Sequence, residues 1–556
     1  MRYYTLGLLA CTLVFTLLAA ACDQSGSPSA GTAGTSSSGG SSSGGGGGSG
    51  GGGSGGTTGL TLTSTALPLA TVGQFYSTTL PFSGAAAAVT VNITSGAFPP
   101  GVNMTSAGNI SGSPALTGQW GVQIEATDGV TTIVAQLSLT VQGITGSGQL
   151  ENQLRQVIAQ KNIQPMPQPP GVNQARVELG RNLFFDKELS GNRDVSCSTC
   201  HHPRFNYGDG LNLSVGVGGT GGIGPGRDHP TKTFVPRHAP AVYNTTLMPE
   251  LFWDKRVGVP PPPPGQQPGP TQTPEGPTNL TPLAAQALFP MVSLTEMRGT
   301  GHSLDGLSDS AYRDAIANRL AQYNDYVSMF TSAFGAGNMT VDNMVIAIAE
   351  FERSQTYANA PWDRYLRGDN NALTDAQKRG ASIFFGPGGC DACHSGPLLT
   401  NFTTHNIIIP QFGPGQGQGV QGREDFGFEN TTGNQQNRYQ FRVPSLRNVA
   451  ITAPYMHNGA FSTLTEVVNH YRNKAASTNG FTGQNMVQAA DLAPTLLPTN
   501  NVLQTPSQLF LNVPGNLSPQ QVQDIVAFLE ALTDPAAVNR MSDIPNTVPS
   551  GLAVDR

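Results

Sequence analysis

The sequence predicts a multidomain protein, an N-terminal all-β sandwich followed by a larger, mainly α-helical part. Three observations carry this. Residues 60–142 are short runs of alternating apolar and polar residues separated by turn signals. Beyond about Leu150, apolar residues recur at helical spacing, as at Met344, Val345, Ile348 and Phe351. The pentapeptide Cys197-Ser198-Thr199-Cys200-His201 returns as Cys390-Asp391-Ala392-Cys393-His394.

The 556 residues are enough for several cores. Charged residues make up 12%, the formal net charge is -6 and no basic run occurs, which argues against nucleic acid as a partner. Residues 1–22 begin with Arg2, run through an apolar stretch from Leu6 to Leu18 and reach Ala19-Ala20-Ala21-Cys22. The stretch is short for a membrane span and has the form of a signal peptide. Its end resembles a bacterial lipobox, which makes Cys22 the expected lipidation site and membrane attachment the consequence. Ordinary cleavage after Ala21 is the alternative. Residues 23–59 are almost entirely Ser, Gly and Thr, a composition that cannot bury enough apolar surface to fold and reads as a flexible tether.

In the β module the runs Leu60–Thr63, Val89–Ile93 and Gln136–Val141 alternate, and Pro99-Pro100-Gly101, Ser106-Ala107-Gly108 and Asp128-Gly129 mark turns. The stretch from Phe98 to Met104, with Gly108–Pro114 and Ala126–Gly129, resembles the immunoglobulin-like domains of bacterial surface proteins. That resemblance implies a spacer or an adhesive unit, and no site stands out within it.

The repeated CxxCH is the chemistry-bearing feature. Two thiols at this spacing close onto the vinyl groups of one haem, and the following imidazole binds the iron. A lone CxxC is equally a zinc knuckle or a redox disulfide. Here His follows immediately in both copies, and no further CxxC stands at zinc-ribbon spacing. Of the six cysteines four belong to these motifs, and the others, Cys11 and Cys22, lie in the leader. Two covalent c-type haems are therefore expected, on Cys197, Cys200 and His201 and on Cys390, Cys393 and His394.

Several ordered motifs surround them: Leu179–Asp186, Val215–Gly219, Pro236–Asn244, Leu251–Asp254, Gln286–Pro290 with Glu296-Met297, Asp363–Leu366, Phe441–Asn448 and Pro454–Gly459. In this order they resemble the bacterial diheme cytochrome c peroxidase superfamily, which includes MauG, over roughly residues 150–540. The resemblance implies two mainly helical, cytochrome c-like domains, 150–370 around the peroxide-reactive haem and 371–540 around the electron-transfer haem, with 541–556 a tail. It implies that Glu296 moves the proton during heterolytic O–O cleavage, that Gln286 hydrogen-bonds the oxidant, and that Trp253 passes electrons between the haems. The position fourteen residues after the His of Pro-Tyr-x-His-x-Gly, counted from His457, is a methionine in conventional members and a tyrosine in MauG-type ones. Here it is Tyr471. His470 and Met456 are the alternative iron ligands.

Two departures stand out. Conventional members have a histidine that blocks the peroxide site; His229 is the candidate here, but its spacing is shifted and its loop is Gly-rich. The family's interhaem calcium would use carbonyls at Thr452 and Pro454, but His238 replaces its Asn, and imidazole is a poor calcium ligand. The expected activity is reduction of hydrogen peroxide with electrons from a small cytochrome c or copper protein, or MauG-like oxidation of a protein substrate, in the periplasm or cell envelope. An electron-transfer cytochrome without peroxide chemistry is the rival. A Pro-rich insert from Pro260 to Pro282 reads as an extended surface loop.

Overall fold

The computed structural model describes residues 59–143, 147–260, 267–504 and 517–556. The leader, the lipidation site Cys22 and almost all of the Gly/Ser tether lie outside these residues.

Residues 59–143 are β-rich. Strands Ala70–Thr71, Thr132–Gln142, Gly118–Thr127 and Thr90–Gly96 form a four-stranded sheet in that order, and Tyr76–Thr79, Asn109–Gly112 and Val102–Met104 form a three-stranded one. Alternation explains the faces: Val122, Ile124 and Ala126 point inward with Leu137, Leu139 and Val141, and they share one core with Ile110 and Val102 of the other sheet. Asp128 fixes the turn between the two long strands, its carboxylate accepting from Val130 N at 3.0 Å and Thr131 N at 2.7 Å.

The rest is helical and is built twice on one device. Helix Gln174–Phe185 crosses helix Val341–Arg353 so closely that a Cβ on Gly180 would lie 1.8 Å from the Ala347 carbonyl oxygen. Helix Asp375–Phe384 crosses helix Pro519–Glu530 in the same way, with the site of a Cβ on Gly380 1.8 Å from the Asp524 carbonyl. Only glycine permits either approach. Each glycine is followed by the same Gly-x-x-x-Phe-Phe pattern, Phe184-Phe185 and Phe384-Phe385, and all four rings are buried. In the second core Phe384, Phe385, Trp362 and Phe528 stand 5.0–5.7 Å apart. Each such ring contributes about 1.5–3 kcal/mol by burial.

Local side chains cap these helices. Thr340 accepts from Asn343 N at 3.2 Å, and Ser518 and Gln521 form a capping box. Val522, Ile525, Phe528, Leu529 and Leu532 are buried and Val526 is half-buried. Asp524 is also buried, because Arg379 grips both its oxygens at 3.0 Å.

The cores cross the boundaries drawn from sequence. Leu154, Trp362 and Tyr365 pack into the second core although they precede residue 371. Ile544 and Val548 of the C-terminal segment pack into the first core. There Ser550 Oγ donates to Asp186 at 2.6 Å and Lys187 pairs with Asp555 at 2.7 Å. The described part of the Pro-rich insert also folds back: Thr271 is buried and donates to the Leu280 carbonyl, and Glu275 pairs with Arg313.

Candidate haem-binding active site

Each CxxCH occupies a short helical turn that closes on its own histidine. His201 N donates to Cys197 O at 3.0 Å, and His394 N to Cys390 O at 2.9 Å. The first turn, Cys197–Cys200, is capped by Ser196 and Thr199. His201 Nδ1 lies 3.2 Å from the Tyr207 carbonyl, and His394 Nδ1 lies 3.0 Å from the Leu399 carbonyl. A carbonyl can only accept, so Nδ1 carries the proton in both rings and Nε2 is left as the metal-binding nitrogen. Burial pushes both imidazoles below their ordinary pKa, His394 to about 4, which keeps them neutral. Tyr207 takes a φ of 60° to present its carbonyl, a sparsely populated conformation for so bulky a residue.

The four cysteines are unpaired. Burial pushes their thiols up, Cys197 and Cys390 to about 12 and Cys393 to about 11. Among the described residues no three His, Cys, Asp or Glu side chains are grouped to hold a metal ion. Two free thiols beside one imidazole at each turn fit thioether attachment of a haem.

A cavity of about 430 Å³ is lined by both motifs. The residues fit two haems in a further respect, because cations face the space that carboxylate-bearing macrocycles would fill. Arg442 is buried with no carboxylate at ion-pair distance among the described residues, its guanidinium donating to the Phe252 and Val443 carbonyls, and burial lowers its pKa to about 10 against the opposing charge of Glu250. Arg447 Nη2 is buried without a hydrogen bond among the described residues, although its Nη1 pairs with Asp363 at 2.9 Å.

The sequence-predicted residues converge here: Trp253, Gln286, Glu296, Thr452, Pro454, Met456 and Tyr471 all line the cavity. Gln286 ends helix Pro282–Gln286, whose start is capped by Thr281. The Glu296 carboxyl makes no hydrogen bond among the described residues, and burial raises its pKa against the partial opposition of Arg256 and Arg237. Its segment is pressed against Gly216, where a Cβ would lie 2.1 Å from Thr295 O. Arg237 is buried between Asp254 and Asp425, at 2.7 and 2.6 Å, and ties this wall to the 425 loop. Tyr471 Oη makes no hydrogen bond among the described residues, and burial pushes its pKa up.

Other candidates lie elsewhere. His470 does not line the cavity and commits both nitrogens, to the Ile407 carbonyl at 2.8 Å and Ser477 Oγ at 3.1 Å. His229 is also outside the lining, its Nδ1 accepting from Thr231 N at 3.1 Å. His238 lines the cavity with Nδ1 donating to the Leu211 carbonyl at 2.9 Å. Sequence reasoning missed Glu352, a buried cavity-lining carboxyl that burial raises to about 8. It also missed Arg442 and the tie between Arg447 and Asp363. A charged residue inside an otherwise apolar helical stripe, as Glu352 is beside Phe351, was the available signal.

This fold and doubled CxxCH site place the chain in the di-haem cytochrome c peroxidase family, whose model matches residues 174–371, and make it a peroxidase-type oxidoreductase with two c-type haems. Cytochrome c551 peroxidase of Nitrosomonas europaea is 30% identical over 339 residues, covering 61% of this chain and 83% of that protein. Methylamine utilization protein MauG of Methylorubrum extorquens is 29% identical over 376 residues, covering 67% and 83%. Cytochrome-c peroxidase IdrP2 of Denitromonas iodatirespirans is 28% identical over 389 residues, covering 67% and 85%.

Proposed function

We propose that the chain is a peroxide-dependent diheme oxidoreductase of the MauG-like branch, in which His201 would hold the peroxide-reactive haem and His394 and Tyr471 would hold the second. The observation that carries this reading is Tyr471 itself, which faces the cavity with an uncommitted phenol while His470 has no free nitrogen. Met456 also lines the cavity, and a thioether there is the competing ligand.

When bound, the haem supplies an iron that activates peroxide and stores oxidising equivalents. The protein residues handle the protons. Glu296, close to Arg256 and Arg237, takes a proton from bound peroxide and returns it to the departing oxygen. Gln286 orients the oxidant by hydrogen bonding. Trp253 lies on the path between the haems. Tyr471 would offer the second haem's iron a phenol oxygen, a harder ligand than a thioether, which would lower its potential.

In this reading, the electron donor is a small cytochrome c or copper protein, or the substrate is a protein side chain oxidised from the surface. Residues 60–142 serve as an immunoglobulin-like spacer between the haem domains and a lipid anchor on Cys22 in the cell envelope. Among the described residues no helix is long and apolar enough to cross a membrane. Calcium, if bound, uses the Thr452 and Pro454 carbonyls.

The test is peroxide consumption with a reduced small cytochrome c, comparing wild type with Glu296→Gln. Turnover without prior reduction of the protein, largely lost in the variant, supports the reading. Turnover that requires prior reduction points instead to a conventional peroxidase, and no turnover in either state to an electron carrier.

A further inference from the structure

Tyr207 holds two positions at once. Its carbonyl accepts from His201 Nδ1, and its phenol donates to Asp543 Oδ2 at 2.5 Å. The buried ring stands edge-on to Tyr243 at 5.8 Å between centroids, and Tyr243 stands edge-on to Tyr357 at 5.4 Å. Tyr243 lines the cavity, as does Phe184, whose ring is 6.2 Å from Tyr207. A row of oxidisable rings thus runs from the first haem pocket to the C-terminal segment.

The three phenols differ in what they can do with a proton. Tyr243 donates to the Ala537 carbonyl and Tyr357 to Gln355 Oε1, each at 2.8 Å. Amide oxygens accept a hydrogen bond but not, at neutral pH, the proton itself. Removing an electron from a phenol makes it a strong acid, so oxidation is favourable only where the proton can leave at the same time. Of the three, only Tyr207 has a carboxylate in hydrogen-bond reach. Arg540 holds that carboxylate in place at 2.7 and 2.9 Å.

We propose that Tyr207, with Asp543 as its proton acceptor, is a redox-active side chain that surrenders an electron to the first haem pocket when oxidising equivalents from peroxide outlast the external donor. One electron leaves the phenol and reduces the peroxide-derived oxidant by one equivalent. The phenolic O–H bond breaks, its proton moves along the existing hydrogen bond, and an O–H bond forms on Asp543 Oδ2. The products are a neutral tyrosyl radical and an uncharged Asp543. Tyr326 provides the contrast: its phenol also donates to a carboxylate, Asp186 at 2.7 Å, but its ring contact is to Tyr323, which is outside the cavity lining, whereas Tyr207 touches the cavity-lining rings of Tyr243 and Phe184.

This inference rests on the peroxidase reading. The test uses diferric, haem-loaded full-length protein given one equivalent of hydrogen peroxide without donor and followed by absorption and freeze-quench EPR. Ring-deuterated tyrosine identifies a tyrosyl signal by its narrowed hyperfine pattern. The radical is expected in wild type and Tyr326→Phe, absent from Tyr207→Phe, and weakened at least about tenfold in Asp543→Asn. The asparagine variant retains the Tyr207 ring and so guards against a packing defect in the phenylalanine one. An undiminished radical in Tyr207→Phe overturns the proposal, as does its absence from wild type whose haem absorption responds to peroxide. If the absorption ignores peroxide altogether, the peroxidase reading falls and the tyrosine's role falls with it.

Discussion

The indole Nε1 of Trp253 donates to the carbonyl oxygen of His238 at 3.0 Å, and His238 N in turn donates to the His457 carbonyl at 2.9 Å. The tryptophan is thereby fixed in a cavity wall lined by both CxxCH motifs. Trp253→Phe keeps an aromatic ring but loses the hydrogen bond and part of the π-surface. Electron exchange between the haems, followed by stopped-flow absorption after mixing the half-reduced protein with peroxide, is expected to slow at least about tenfold, ~1.4 kcal/mol in barrier. Peroxide binding at the first haem should be little changed.

Glu296 acts on protons only if its carboxyl can ionise, and burial raises its pKa above the ordinary carboxylate value. The base form therefore accumulates at higher pH than for a solvated glutamate, and kcat/KM should rise through a shifted acidic limb. Glu296→Gln should remove that limb and lower the rate by about 10²–10⁴. A pH–rate profile of both proteins checks this.

Glu352 has the opposite bearing on stability. Its folded-state pKa of about 8 is above that of an unfolded glutamate, so the folded chain keeps a proton the unfolded chain has lost. Stability should fall as pH rises from the unfolded pKa towards about 8, by on the order of 3–5 kcal/mol across the window, and then level off. Glu352→Gln should flatten that slope. Urea unfolding from pH 5 to pH 9 measures it.

Asp363 and Arg447 are an ion pair at 1% and 2% side-chain exposure, at 2.9 Å, and Asp363 also accepts from Met166 N at 2.8 Å. Asp363→Ala strands a buried guanidinium and a backbone N–H. The expected loss is about 3–5 kcal/mol, read as a lowered urea midpoint.

His238 offers an imidazole where the family resemblance calls for an amide oxygen: its Nδ1 donates to the Leu211 carbonyl, which leaves Nε2, a poor ligand for calcium. Dialysis against a calcium chelator should accordingly leave the haem spectra and peroxide turnover nearly unchanged.

Short-range chemistry was legible in the sequence. The CxxCH turns, the Thr340 cap, the Ser518 and Gln521 box and the alternating strands each depend on residues a few positions apart. The convergence of Trp253, Gln286, Glu296 and Tyr471 was legible through resemblance, since no local rule brings positions 253 and 471 to one wall. What sequence concealed is long-range pairing. Asp524 looks like a solvated helix residue until Arg379 arrives from another helix, and residues 541–556 look like a tail until Asp543, Ser550 and Asp555 find Tyr207, Asp186 and Lys187. The duplicated Gly-x-x-x-Phe-Phe was visible throughout, but its meaning, a helix crossing without room for a Cβ, required the partner helix.

The central claim is that Tyr471 is the second haem's axial ligand in a peroxide-reactive enzyme. Absorption and EPR spectra of the diferric protein, before and after one equivalent of peroxide, beside Tyr471→Met, test it most directly. The account predicts one high-spin and one low-spin haem, then a long-lived near-infrared band in wild type that the methionine variant cannot form. Two low-spin haems that ignore peroxide until an electron is added, or a band that survives in Tyr471→Met, would contradict it.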